Sequence, residues 1–384
     1  MRLALGVLPV ALAVAACVAP EKPAPEALGR LPHAVTTAEP EWIPFVIRAG
    51  TPLEADPRER HLVDLRQLTY AQGENAEGYW SPDGKKLVFQ STRDGAGCDQ
   101  IYEMDLASGL THRISNGQGR TTCGFFTYPR GDRLVFSQTA GPQCPPKPDR
   151  SGGYVWALDE FDVFSTALDG SDKRPLLAAP GYDAETTAAF DGSRLVFTST
   201  RDGDLELYTS KPDGSDVRRI TNAPGYDGGA FFSPDSSKLV WRASRPTGAA
   251  LAEYKALLAR GIVKPSELEI YVAGSEGQNP HPITKNGKAN FAPSFLHDSR
   301  RVIFASNVDA SPRPGQAPNF DLYVVDPDAP PTNAGVPPLE RVTFYDGFDA
   351  FPMFSPDGAY VVFASNRHGS KPGETNLFVA RWAE

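Results

Sequence analysis

The chain has 384 residues, with 40% hydrophobic and 22% charged side chains, the balance of an ordinary soluble globular protein large enough for one big repeat domain or two average ones. Its formal net charge of −9 argues against nucleic acid as a partner, because phosphate binding needs a basic surface, and suits cations, basic peptides or neutral polymers. Gly (35) and Pro (36) are frequent without a Gly-X-Y period, which predicts many tight turns and short strands.

The first segment reads as an export signal. Arg2 precedes an uncharged stretch from Leu3 to Ala16, too short to span a bilayer as a helix but of signal-peptide length. It ends Val14-Ala15-Ala16-Cys17, which resembles the bacterial lipobox and implies acylation of Cys17; the plain alternative is cleavage after Ala16. Val18, rather than Asp, implies by the same resemblance the periplasmic side of the outer membrane. The reading is a signal peptide over 1–16, a lipidated cysteine and Pro/Ala-rich tether over 17–60, and a folded domain over 61–384.

From residue 61 onward one pattern recurs six times: a turn such as SPDG, an apolar strand, a polar loop, and a second strand with Tyr or Phe. The first strands end at Phe89, Phe136, Phe197, Trp241, Phe304 and Phe363, and the second carry Tyr102, Phe164, Tyr208, Tyr271, Tyr323 and Phe378. From each second anchor to the next first anchor the spacing is 34, 33, 33, 33 and 40 residues, so one stretch is nearly constant while the other absorbs insertions. With an inner strand before each turn and a short outer one such as 218–221, each unit has four strands, and such units repeated radially make a propeller. The last repeat reaches Glu384 after three strands, whereas 61–69 reads as a fourth strand without the preceding three. The prediction is therefore an all-β, six-bladed propeller of four-stranded antiparallel blades, closed by an N-terminal strand, with a short helical insertion (Ala249 to Arg260) in blade 4.

FSPDG (354–358), STRDG (91–95 and 199–203), IYEMD (101–105) and LYTSKPDGSDVRRIT (207–221) resemble the propeller repeats of the TolB family. The resemblance covers about 320 residues and implies a periplasmic binding module. Its natural partners would be an envelope protein of the peptidoglycan-associated lipoprotein type or a cell-wall polymer. TolB carries an α/β domain before its propeller, for which the residues between Cys17 and residue 61 leave no room.

Alternate connections of antiparallel blades lie on opposite faces, so the long loops 139–160, 244–266 and 306–319 share one face, where insertions mark a binding surface. The residues that begin the six inner strands are Asn75, Thr121, Asp183, Asp227, Asn290 and Asp349, each with a side-chain oxygen. They read as a ring at the channel mouth, able to bind a ligand or a hard cation such as Ca²⁺ (with Asp183, Asp227 and Asp349 as its metal ligands), or as six turns that bond their own backbone. Glu77 and Glu185, two residues further on, add negative charge deeper inside.

Three cysteines follow Cys17; an exported chain permits a disulfide, and Cys123–Cys144 is expected to pin the 139–160 loop, with Cys98 left over. The RDG turns (93–95 and 201–203) read as structural, with an Arg–Asp pair spanning adjacent blades. There is no G-x-S-x-G, P-loop, HExxH or CxxC, and the six histidines have no ligand spacing. The function expected is a non-catalytic, monomeric envelope binding module presenting its loop face. The alternative is a propeller enzyme, a polysaccharide lyase or hydrolase, using the acidic channel mouth.

Overall fold

The structure, a computed structural model, describes residues 46–384 except 71–72, 151–152, 312–317 and 372. The signal peptide, Cys17 and most of the tether lie outside the described residues.

Six antiparallel sheets follow one another around an axis. Blade 1 comprises strands 75–80, 86–91, 100–105 and 111–113, and blade 2 comprises 121–126, 133–139, 161–167 and 174–177. Blades 3 and 4 repeat the order with 183–188, 195–199, 206–210, 218–219 and 227–232, 238–243, 269–274, 281–282. Blade 5 is 290–295, 302–306, 321–325 and 339–341. Blade 6 takes three strands from the C-terminal end (349–354, 360–365 and 376–382) and two from the N-terminal end, Leu62–Gln67 and, outside it, Thr51–Pro52. The sheet is thus closed by an N-terminal strand, and residues 46–60, assigned to the tether from sequence, also pack on the propeller. Glu59 is buried there and accepts two hydrogen bonds from Arg367, at 3.0 and 3.1 Å.

The repeating aromatics explain why the units fold alike. Each first anchor sits directly opposite its second anchor across the strand pair: Phe89 on Tyr102, Phe136 on Phe164, Phe197 on Tyr208, Trp241 on Tyr271, Phe304 on Tyr323 and Phe363 on Phe378. Cross-strand aromatic pairs of this kind stabilise a sheet beyond their buried area. The turns before the second strands work by local chemistry: Ser81 Oγ donates to Asp83 and accepts from the Lys86 amide, and Gly84 supplies the left-handed residue at φ 68°. Ser355 and Asp357 repeat the arrangement in blade 6.

Candidate functional site

The six residues that begin the inner strands are all buried, at 0–1% exposure. A buried polar group needs a partner, and four of the six, the three aspartates and Asn75, find it eighteen residues downstream in their own blade. Arg201 donates to Asp183 at 2.9 and 3.0 Å, Arg245 to Asp227 at 2.7 Å, Arg367 to Asp349 at 2.7 Å, and Arg93 to the Asn75 amide oxygen at 2.7 Å. Each guanidinium also lies over aromatics of its blade: Arg201 is 5.0 Å from the rings of both Phe197 and Tyr208. Asn290 is held by Leu268, Asn286 and Ser306, and Thr121 donates to the Asp99 carbonyl.

Two expectations are corrected here. The Arg–Asp pairs lie within blades, not across them, because the RDG loop folds back over its own anchor pair; its Asp accepts from the same blade's tyrosine, as Tyr208 to Asp202 at 2.6 Å shows. Nor do Asp183, Asp227 and Asp349 converge on one cation. Each faces its own arginine, and among the described residues no group of three His, Cys, Asp or Glu side chains is placed to hold a metal ion.

The axis is reached two residues further on. Every inner strand carries a β-bulge, with register shifts at 76/79, 122/125, 184/187, 228/231, 291/294 and 350/353. The bulged residue has a left-handed backbone in all six blades: Glu77, Cys123, Glu185, Gly229, Ala292 and Phe351, at φ 49–61°. A bulge re-aims one side chain out of the strand's alternation. Here it turns Glu77, Cys123 and Glu185 of three successive blades toward one another. Phe351 packs with Phe291 and Phe348 on the opposite side.

Gly229 makes room for a fourth polar group. Arg242, from the second strand of blade 4, passes over Gly229 and pairs with Glu185, while donating to Tyr226 Oη at 2.7 Å. Its guanidinium lies 4.9 Å from the Trp156 ring and 5.4 Å from that of Tyr226. Glu185 accepts a second bond from Thr198 at 2.7 Å. Among the described residues Glu77 meets the Cys123 thiol and accepts, at 3.3 Å, from Tyr79 Oη. Burial, with Glu185 adding repulsion, pushes the Glu77 carboxyl up to about 7, and burial followed by the two glutamates pushes the Cys123 thiol well up. Two residues deeper, Tyr79, Phe125 and Phe231 meet with ring centroids 5.4–6.2 Å apart and form a floor. The result is a chamber near the loop face, polar on blades 1–4 and apolar on blades 5 and 6.

The roof comes from two insertions. Trp156–Ala157 of the blade 2 loop pairs antiparallel with Ile262–Val263 of the blade 4 loop. The helix Gly248–Leu258, slightly shorter than expected, buries Tyr254 against Leu205, Tyr226 and Leu268, and Tyr254 Oη donates to Asp204 at 2.6 Å. Gly261 turns the chain after it at φ 69°. From this ribbon Trp156 reaches Tyr226 of blade 4 and Phe291 of blade 5. The disulfide is Cys98–Cys144, with Cα atoms 5.7 Å apart, and not Cys123–Cys144. The bulge aims Cys123 at the axis, leaving it free and half-buried, while Cys98 and Cys144 meet between the loops of blades 1 and 2. Beyond the chamber, two grooves of about 390 and 300 Å³ lie on the opposite, turn face, lined by residues such as Pro82 with Arg130 and His297 with Trp382.

Sequence reasoning missed Arg242, Trp156 and the channel-facing Cys123. The signal for the first was Gly229, standing at the repeat position that holds Glu77, Cys123 and Glu185 elsewhere.

No protein-family model matches the chain, and no curated protein matches it in sequence. Solved structures do. A TolB-type protein from Agrobacterium tumefaciens is 18% identical with a TM-score of 0.51, over 83% of this chain and 93% of that one. A gluconolactonase from Xanthomonas campestris is 14% identical with a TM-score of 0.53, over 87% and 98%. TolB from Acinetobacter baumannii, at 18% identity and a TM-score of 0.49, is matched over 68% of this chain but only 54% of its own, so the chain spans about half its length. Likeness at these identities speaks to architecture: the chain has the six-bladed propeller fold found in TolB proteins.

Proposed function

We propose that the chain is a non-catalytic binding module of the bacterial envelope, tethered through Cys17 and presenting its loop face to a protein partner or a cell-wall polymer. One observation carries the reading: the insertions of blades 2 and 4 are built into a single roof beside the channel mouth, fixed by the Trp156–Val263 pairing and the Cys98–Cys144 bridge. Insertions that merely drifted have no reason to join. The face is also equipped for contact, since Tyr154 of the blade 2 insertion stands 60% exposed with Arg150 over its ring. The TolB likeness makes a peptidoglycan-associated lipoprotein and isolated cell-wall sacculi the two probes to use. Tyr154→Ser is expected to weaken capture of one of them about tenfold at unchanged melting temperature. Equal capture by variant and parent would remove the loop face as the site.

The enzyme reading keeps one supporting observation. Glu77, with its carboxyl near neutrality, is tuned as an acid–base group requires. Turnover of a uronic-acid or peptidoglycan substrate that disappears in Glu77→Gln would establish it.

A further inference from the structure

The polar wall of the channel is not internally satisfied. Arg242 is nine-tenths buried, and its Nε–H has no acceptor among the described residues. Its Nη2 is taken up by Glu185 and Tyr226, and a Cβ on Gly229 would stand 1.9 Å from Nη1, so the guanidinium occupies the channel-facing position of blade 4. A buried donor on a charged group without a partner is costly, and native structures usually supply the acceptor from a ligand or water. Around it stand acceptors with lone pairs to spare: Glu77 meets Cys123 and, at 3.3 Å, Tyr79 Oη, and Glu185 accepts from Arg242 on one oxygen and from Thr198 on the other. Tyr182, half-buried against Phe161, lies close enough to Glu185, Cys123 and Arg242 to feel their charges.

Charge sets the class of ligand. Arg242 is balanced by Glu185, and Glu77 and Asp99 stand close enough to act on one another, so no surplus positive charge is left to hold an anion. A cation would have to displace or face Arg242, whose guanidinium already lies against Trp156 and Tyr226. What remains is a neutral group that accepts from Arg242 and donates to the glutamates. A hydroxyl does both. Opposite the polar wall, Ala292, Phe291 and Phe351 offer an apolar surface that matches the C–H face of a ring or carbon chain.

We infer that the axial chamber binds an uncharged polyhydroxylated molecule, a sugar or polyol, with Arg242 donating to one ligand oxygen and Glu77 and Glu185 accepting from its hydroxyls. This rests on the binding-module reading, and names the chemistry of its channel.

Cys123 gives the test, because a free thiol stands in the chamber wall. The purified full chain is treated with N-ethylmaleimide and modification of the Cys123 peptide is followed by mass spectrometry. Glycerol, glucose and N-acetylglucosamine are added in turn, with glucuronate and choline as charged controls. Saturable slowing of modification by at least one neutral probe, about threefold or more at concentrations up to about 10 mM, is expected, with less than half that protection from either charged one. Arg242→Lys, which keeps a cation for Glu185 but removes the Nε–H, is expected to lose the protection at a near-parental melting temperature. Three outcomes overturn the inference: no protection by any neutral probe, equal protection by glucuronate or choline, or protection unchanged in Arg242→Lys. Should the raised pKa of Cys123 leave the thiol unreactive, the same probes are titrated calorimetrically into the parent and Arg242→Lys, and the absence of saturable binding of every neutral probe to the parent overturns the inference. Partner capture by the loop face uses neither maleimide nor sugar, so failure of one experiment leaves the other standing.

Discussion

Arg242 reaches the channel axis only because residue 229 is glycine: an added Cβ would lie 1.9 Å from Arg242 Nη1 and 2.7 Å from its Cζ. The other five blades put a side chain at this position and hold the same left-handed backbone. The glycine is therefore required by the arginine above it rather than by its own φ of 61°.

Gly229→Ala accordingly separates sterics from backbone strain. Ala292 shows that alanine is accommodated at this bulge position in blade 5, at φ 49°. The loss expected in blade 4 comes from forcing Arg242 off Glu185, about 2 kcal/mol, the range for overpacking a filled interior. In Gly229→Ala combined with Arg242→Ala, the alanine at 229 should add little to the loss from Arg242→Ala alone. Urea unfolding of the parent, both single variants and the double closes the cycle, and strict additivity would show that the two residues do not compete for space.

The inner-strand acids predict a stability effect rather than a binding one. Asp183 is buried and accepts two bonds from Arg201. Asp183→Ala leaves that guanidinium without its acceptor and is expected to cost about 3 kcal/mol. Asp183→Asn should cost well under half as much, because Asn75 in blade 1 serves Arg93 in the same geometry with an amide oxygen at 2.7 Å. Midpoints of urea denaturation at constant slope give both values. A neutral Asp183→Ala would return the acid to a role at the channel.

Much of this architecture was legible in the sequence because it follows from spacing. The aromatic anchors, whose spacing from one blade to the next is 33 or 34 residues in four of five cases, also supply the pairs that face each other within each blade, and the N-terminal strand at 62–67 was visible as a unit without companions. The site was harder to read for two reasons. A left-handed bulge at Glu77, Cys123 or Glu185 leaves no sequence mark, since nothing in those residue types requires φ above zero. The acids at the strand starts look alike whether they face a channel or an arginine. The distinguishing signal was the arginine eighteen residues downstream, at 93, 201, 245 and 367. The disulfide failed for the same reason as the bulge: Cys123 is near the right loop in sequence, but its side chain is turned to the axis.

Reduction should loosen the loop face without touching the chamber. The Cys98–Cys144 bridge closes 46 residues between neighbouring blades. Loop-closure entropy for that length gives up to about 4 kcal/mol of stabilisation. Cys98→Ser with Cys144→Ser should lower the melting temperature by several degrees and raise proteolysis within 139–160, whereas Cys123→Ser should leave both near parental values. Peptide mapping under non-reducing conditions checks the pairing directly, and a Cys123-containing bridge would refute it.

Glu77 makes stability depend on pH in a stated direction. Its carboxyl is raised from 4.5 to about 7 in the folded chain, chiefly by burial. Between those values the folded state holds a proton that the unfolded state has lost, so stability falls as pH rises from about 4.5 and levels off above about 7. The full cost is roughly 3 kcal/mol by the conversion of a pKa difference to free energy. Glu77→Gln keeps the shape and removes the titration. It should therefore match the parent near pH 4.5, exceed it in melting temperature at pH 8, and flatten the profile between them. Melting curves at half-unit steps across this window decide the matter. If the two profiles stay parallel, Glu77 is ionised in the folded chamber at neutral pH and serves a ligand hydroxyl as an acceptor only.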